Sequence, residues 1–159
     1  MKKIHDLVPV DVAIWRVSHH HRHLVNLRLE SLGLYRGQHR LIARLGFQDG
    51  RTHSDLAESM RISNATVSKM VQRMEQNGFV ERRQDEFDQR ISRVFLTQRG
   101  KETAVKLEEM FLQLERDEIE GFSKEETVQL MEFLERINEN LMEHIPHHHK
   151  PKKHKKGKE

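Results

Sequence analysis

Two helix-start signals stand eleven residues apart, at Thr52 and Ser63, and the hydrophobic period changes soon after the second. Thr52-His53-Ser54-Asp55 offers a hydroxyl to the backbone N–H three residues on and places a carboxylate near the positive end of the helix dipole. That predicts a short helix to about Met60. Ser63 has the same capping opportunity and predicts a second helix over Asn64–Gln76, stopped by the Asn77-Gly78 pair. Beyond Gly78, Phe79-Val80-Glu81-Arg82-Arg83 and Ile91-Ser92-Arg93-Val94-Phe95-Leu96 alternate with the period of strands, with the polar stretch 84–90 between them. Two short helices joined by a tight turn and followed by a long-tipped hairpin form a unit in which the first helix braces the second.

Longer helices flank this centre. Val10, Ile14, Val17, Leu24 and Leu27 recur at three- and four-residue steps and predict an amphipathic helix that stops near Gly33. A helix over 36–48 carries Leu41, Ile42 and Leu45 on one face and ends at the Asp49-Gly50 turn signal. Thr97 caps a helix to about Glu120, with Ala104, Leu107, Phe111 and Leu114 inward. Ser123-Lys124-Glu125-Glu126 is a capping box opening a last helix, whose Leu130, Leu134, Ile137, Leu141 and Ile145 approach a heptad seam. The expected fold class is mainly α with a small β-hairpin. Residues 146–159, rich in His and Lys, have nothing to bury and are expected to be disordered.

The net charge of +3 is unevenly distributed. Basic groups outnumber acidic ones by 8 to 4 over residues 1–50 and by 9 to 7 over 51–100, whereas 101–143 has 5 against 13. The tail then adds six Lys against Glu159, so most of the excess belongs to it. Phosphates would be drawn to the mildly basic centre and repelled by the acidic C-terminal helices. With no cysteine, disulfides, thiolate metal sites and thiol-based sensing are excluded. No phosphate-binding glycine loop, nucleophile motif or HExxH run is present, so an enzyme is not expected. The apolar run from Leu7 to Trp15 is broken by Pro9 and Asp11, which argues against a signal peptide or membrane span and for a cytoplasmic protein.

On Asn64–Gln76, Val67, Met70, Val71 and Met74 share one face, leaving Ala65, Thr66, Ser68, Lys69, Gln72 and Arg73 on the other. Small polar groups at the helix start, including Ser63 and Asn64, can approach base edges, and Lys69 and Arg73 can reach a guanine edge or a phosphate. Arg82, Arg83, Arg90 and Arg93 bracket the hairpin tip, where guanidinium groups suit a minor groove and its flanking phosphates. The ordered series Leu56-Ala57-Glu58, Ser63 to Ser68, Met74 to Arg82, Asp88-Gln89-Arg90 and Leu96 to Gly100 resembles the MarR (multiple antibiotic resistance regulator) family over about residues 10–145. The resemblance implies a winged helix-turn-helix over 34–100, with residues 1–33 and 101–145 forming the helices of a homodimer. It further implies a pseudo-palindromic double-stranded DNA operator, probed in successive major grooves, and repression relieved by a small-molecule effector in a cleft between the dimer and DNA-binding regions. By the same resemblance Arg90 is the wing arginine of the minor groove, supported by an ion pair from Asp88. One departure stands out: where many members carry a second tip arginine, this chain has Asp85-Glu86-Phe87, an acidic tip less suited to phosphate.

The twelve histidines cluster. His19 and His23, four apart on a helix, could ligate one divalent metal. His21 continues the Val10-Ile14-Val17 stripe and is expected to face the interior or the effector cleft, where His20, His21 and His39 could meet around a ligand. The alternatives are surface or dimer-interface histidines, a metal or anion sensor, and a pH-sensitive pocket. The competing functional class is accordingly a metal-responsive regulator, or a histidine-rich metal-binding protein that has lost DNA binding.

Overall fold

The computed structural model describes residues 8–35 and 37–145, so Arg36 and the His/Lys-rich arm of 146–159 lie outside it. Two compact units divide the chain, one running to Glu115 and the other starting at Arg116. In order the elements are α1 (Pro9–Ser31), α2 (Gln38–Phe47), β1 (Arg51–Thr52), α3 (His53–Met60), α4 (Asn64–Gln76), β2 (Val80–Gln84), β3 (Ser92–Leu96), α5 (Gln98–Glu118) and α6 (Lys124–His144). No helix among them is long and apolar enough to cross a membrane.

The caps form where the hydroxyls stand. Thr52 Oγ1 accepts the Asp55 N–H at 3.1 Å while Asp55 Oδ2 accepts the Thr52 N–H at 3.1 Å, a reciprocal capping box for α3. Thr52→Ala should lower stability by about 1 kcal/mol, read as a shifted urea midpoint at constant slope. Helix α3 ends at Arg61 in the left-handed conformation (φ 55°), with the Ile62 N–H returning to the Ala57 carbonyl. That residue makes the tight turn into α4. Helix α4 closes similarly at Gly78 (φ 72°), as the Phe79 N–H reaches back to Met74 O at 2.9 Å.

In the first unit, one core joins α1 to α4, the β2–β3 hairpin and α5. Leu41, Ile42 and Leu45 of α2 are buried as their spacing predicts, together with Leu56 and Met60 of α3 and Val67, Val71 and Met74 of α4. Met70 is only partly covered. Phe79, Val80, Val94 and Leu96 bring the hairpin base into this core, and Leu107 and Leu114 bring α5. Arg40 of α2 donates to the Met60 carbonyl at 3.0 Å, tying the two helices together.

The hairpin is antiparallel, pairing Val80 with Leu96 and Gln84 with Ser92, and β1 adds to β3 with Arg51 opposite Val94. The third strand was not foreseen. Two residues are too few to show a period, and β1 is held by its surroundings: Gly50 N–H donates to Val94 O at 3.1 Å, and Asp49 Oδ1 accepts the Leu96 N–H at 3.0 Å.

On α1 the expected stripe is corrected. Val10, Val17 and Leu27 are exposed, and Val25 and Leu29 on a neighbouring stripe meet the core. His21 is exposed with that stripe, not interior. Only the C-terminal part of α1 packs on the first unit's core, so periodicity there marks a face without saying what covers it. On α5, Leu107 and Leu114 are buried as expected, while Phe111 is partly open. The second unit contains the end of α5 and α6. Ser123 and Glu126 form the foreseen capping box, yet no residue of α6 is buried, and Leu134, Leu141 and Ile145 are all exposed.

Candidate nucleic-acid interface

Burial of Val67, Val71 and Met74 fixes the rotation of α4, and with it the residues that face solvent. Asn64, Ala65, Thr66, Ser68, Lys69, Gln72 and Arg73 are all exposed. Ser63 is also exposed, but its hydroxyl is engaged: Oγ accepts the Thr66 N–H at 3.2 Å and lies 2.8 Å from Thr66 Oγ1. Its first role is therefore the cap that starts the helix. Neither Lys69 nor Arg73 forms an ion pair among the described residues, so both cations remain available to an outside anion.

Ala65, Thr66, Lys69, Met70 and Arg73 line one side of an open groove of about 590 Å³ whose other margins include Tyr35, Gln38, Gln76 and Asn77. Sequence reasoning missed Tyr35. It precedes α2 by three residues, and its N–H donates to Gln38 Oε1 at 2.8 Å, a turn that brings an exposed phenol to the α4 surface. The available signal was Gly37 two residues after an isolated aromatic, too local to indicate a neighbour so distant in sequence.

The four arginines around the wing have different jobs. Arg82 of β2 grips Glu75 of α4, with Nε 3.0 Å and Nη2 2.6 Å from Oε2, so wing and helix are fastened by an exposed fork. This partner lowers the Glu75 pKa and raises that of Arg82. Half-buried His53 is pushed down, first by burial and then by Arg82. Arg83 pairs with Glu81 and lies over the Phe95 ring, 4.8 Å from its centroid. Arg93 binds Asp85 and also donates to the Gly50 carbonyl at 3.0 Å. It braces the wing base against the loop before β1, and its side chain stays 39% exposed. Arg90 alone of the four has no ion-pair partner among the described residues.

Asp88 supports Arg90 by a different bond from the one expected. Its Oδ1 accepts the Arg90 backbone N–H at 2.9 Å, and no ion pair joins the two side chains among the described residues. The carboxylate shapes the turn and leaves the guanidinium outside.

One acid of the tip is turned inward while Glu86 stays exposed. Asp85, only 8% exposed, sits within the loop, where its Oδ1 accepts the N–H groups of Phe87 and Asp88, each at 2.9 Å. The Arg93 guanidinium, followed by the Asp88 and Phe87 N–H groups, holds its pKa at about 2. A depressed carboxylate pKa stabilises the folded wing above the unfolded value near 4, and that contribution is lost as pH falls through about 2. The Phe87 and Asp88 amides should keep their exchange protection at about pH 5 and lose it progressively between about pH 4 and 2. Amide exchange followed by NMR checks this, and full protection persisting below about pH 2 would remove Asp85 from the brace.

Among the described residues no group of three His, Asp or Glu side chains is placed to hold one metal ion. His19 stacks on Trp15 at 5.2 Å, and His20 meets His19 edge-on at 5.7 Å. His20, His21 and His23 are exposed on α1. His39 is half-buried, its ring 6.0 Å from Phe111, and its Nδ1 is buried without a hydrogen-bond partner. Burial, then Arg40, lowers its pKa.

A braced helix with an open polar and basic face, followed by a wing fastened to it, is an architecture shared with known proteins. Residues 34–92 match the model of the MarR family. The HTH-type transcriptional regulator YybA of Bacillus subtilis is 26% identical over 116 residues, covering 73% of this chain and 77% of that one. A MarR family transcriptional regulator structure from Clostridium acetobutylicum has a TM-score of 0.67 at 26% identity, covering 84% of this chain and 98% of that one. A mutant of S. aureus MepR, bound to an oligodeoxyribonucleotide, has a TM-score of 0.62 at 24% identity, covering 82% and 96% respectively. Family match, relatives and fold agree with the exposed face of α4: residues 34–92 form a MarR-type winged-helix region, and the chain is similar to HTH-type transcription regulators.

Proposed function

We propose that the protein works as a homodimer that binds a pseudo-palindromic operator, represses the gene behind it, and releases it when a small ligand is bound. The observation that carries this reading is the division of α4, with Val67, Val71 and Met74 in the core and Thr66, Ser68, Lys69, Gln72 and Arg73 facing out. In this arrangement the N-terminal half of α4 enters the major groove, Arg90 reaches the adjacent minor groove, and Arg83 supports the flank. Residues 1–33 and 101–145 form the dimer region. The apolar residues left open on α1 (Val10, Trp15, Val17) and α6 (Leu134, Leu141, Ile145) support that assignment, since a monomer rarely exposes so many large apolar groups along its helices.

The effector site in this reading is an open cleft of about 940 Å³ between the end of α2 and α5, lined by Phe47, Leu107, Phe111 and Leu112 with Lys101 at its edge. His39, against Phe111, adjoins it, while His20 and His21 belong to the exposed surface of α1. A ligand there acts only if it binds one spacing of the two recognition helices better than another.

The test is selection of duplexes from a randomised library by the purified full chain, followed by binding assays on the selected sequence. A pseudo-palindrome with half-sites about one helical turn apart is expected. Arg73→Ala and Arg90→Ala should each weaken binding about tenfold without changing the dimer mass. Failure to enrich any sequence, or unchanged affinity in both variants, overturns the reading.

A further inference from the structure

Phe87 is the most exposed large apolar side chain of the protein's described surface, at 97%, and it stands at the wing tip. Nothing in the family pattern set out above accounts for it. Its position is not that of a loose loop. The Asp85 N–H donates to the Ile91 carbonyl at 2.9 Å and closes the tip, the Ile91 N–H returns to Asp88 O at 2.9 Å, and the Asp85 carboxylate accepts the N–H of Phe87 itself. Arg93 then anchors Asp85 to the wing base and the Gly50 carbonyl. Phe87 stands three positions before Arg90, whose turn is set by Asp88.

We propose that Phe87 is an apolar wedge that enters the minor groove beside Arg90 and partly unstacks a base step there, so that the protein recognises the deformability of the operator flank. The proposal rests on the DNA-binding reading above and adds a residue and a mode of recognition to it. Three observations lead to DNA as the partner. The ring is carried on a braced tip, so little ordering entropy opposes its insertion. Asp85 is turned inward and neutralised by Arg93, leaving Glu86 and Asp88 as the exposed acids on either side of the ring. Phosphates repel both; the positive partner at the tip is Arg90, and the tip's distinctive contribution is the ring. A single aromatic on a narrow tip is also far too small for a protein interface. Apolar wedges between base steps kink a duplex most readily at flexible pyrimidine–purine steps, which yields sequence preference without base-edge hydrogen bonds.

The experiment uses the full chain and duplexes that hold the selected core constant while the flanking base pairs are randomised. Wild-type protein should prefer flexible steps at the wing position, and 2-aminopurine placed at that step should brighten on binding as it unstacks. Phe87→Ala should bind the preferred flank about tenfold more weakly and lose the flank preference. Its core preference, melting temperature and dimer mass should stay unchanged. Wild-type affinity and flank profile in Phe87→Ala would overturn the proposal, as would 2-aminopurine that stays dark in the wild-type complex. A variant that loses core preference as well would place Phe87 in the support of α4 and also overturn it. If the wild-type chain enriches no core at all, the DNA-binding reading itself fails, an outcome separate from these.

Discussion

Gly100→Ala should destabilise the protein by about 3 kcal/mol, reversing the modest gain that alanine normally brings to a helix. Gly100 is buried in the first turn of α5, where a Cβ would stand 2.1 Å from the Phe79 carbonyl oxygen and 3.1 Å from Leu96 Cδ2. The obstacle is backbone, and it is already engaged: Phe79 O accepts the Thr97 N–H at 3.1 Å. Arg99 lies over the Phe79 ring, 4.5 Å from its centroid, so the same few residues join the end of α4, the base of the wing and the start of α5. Relief requires α5 to draw away from that junction and open the core around Phe79. Urea unfolding at constant slope measures the loss, and a midpoint equal to or above the wild type would show that the junction yields easily.

The double variant Arg73→Ala with Arg90→Ala should bind the selected duplex about a hundredfold more weakly than the wild type, with a salt dependence shallower by at least one counterion. The two arginines belong to different elements, α4 and the wing tip, and neither has an ion-pair partner among the described residues. Their losses should therefore add, and no internal charge is stranded by removing them. Melting should stay within about 1 °C of the wild type, since exposed side chains without partners contribute little to stability. A fall in binding accompanied by a large fall in melting temperature would assign these arginines to structure. Retained affinity would remove them from the interface. Arg82→Ala is a useful contrast, because it breaks the Glu75 fork and should act through wing placement.

Much of the fold was legible because its signals are local. A hydroxyl three residues before a carboxylate at Thr52 and Ser123 is a complete capping instruction, and the faces of α2 and α4 follow from the positions of Leu41, Ile42, Val67, Val71 and Met74. The candidate surface was therefore readable in outline: once one face of α4 is buried, the identity of the other is determined. The wing was less readable. Arg83, Arg90 and Arg93 look equivalent along the chain, yet Arg93 turns inward to an Asp eight residues away and to a carbonyl at Gly50, while Arg90 stays outside. Strand β1, too short for any period, exists because Val94 offers it a partner.

By itself the sequence determined the helix starts and stops, the alternation of the hairpin and which residues of each short helix are apolar, because each depends on groups within a turn or two of one another. Tertiary structure decided what those faces meet. It buried Asp85 against Arg93 and set Phe87 out at the wing tip, and it left the stripes of α1 and α6 open, where periodicity marks an apolar face without saying what covers it. Pairing across a sheet and the covering of a helix depend on residues brought together from far apart in the chain, and a local pattern carries no record of which distant group will arrive.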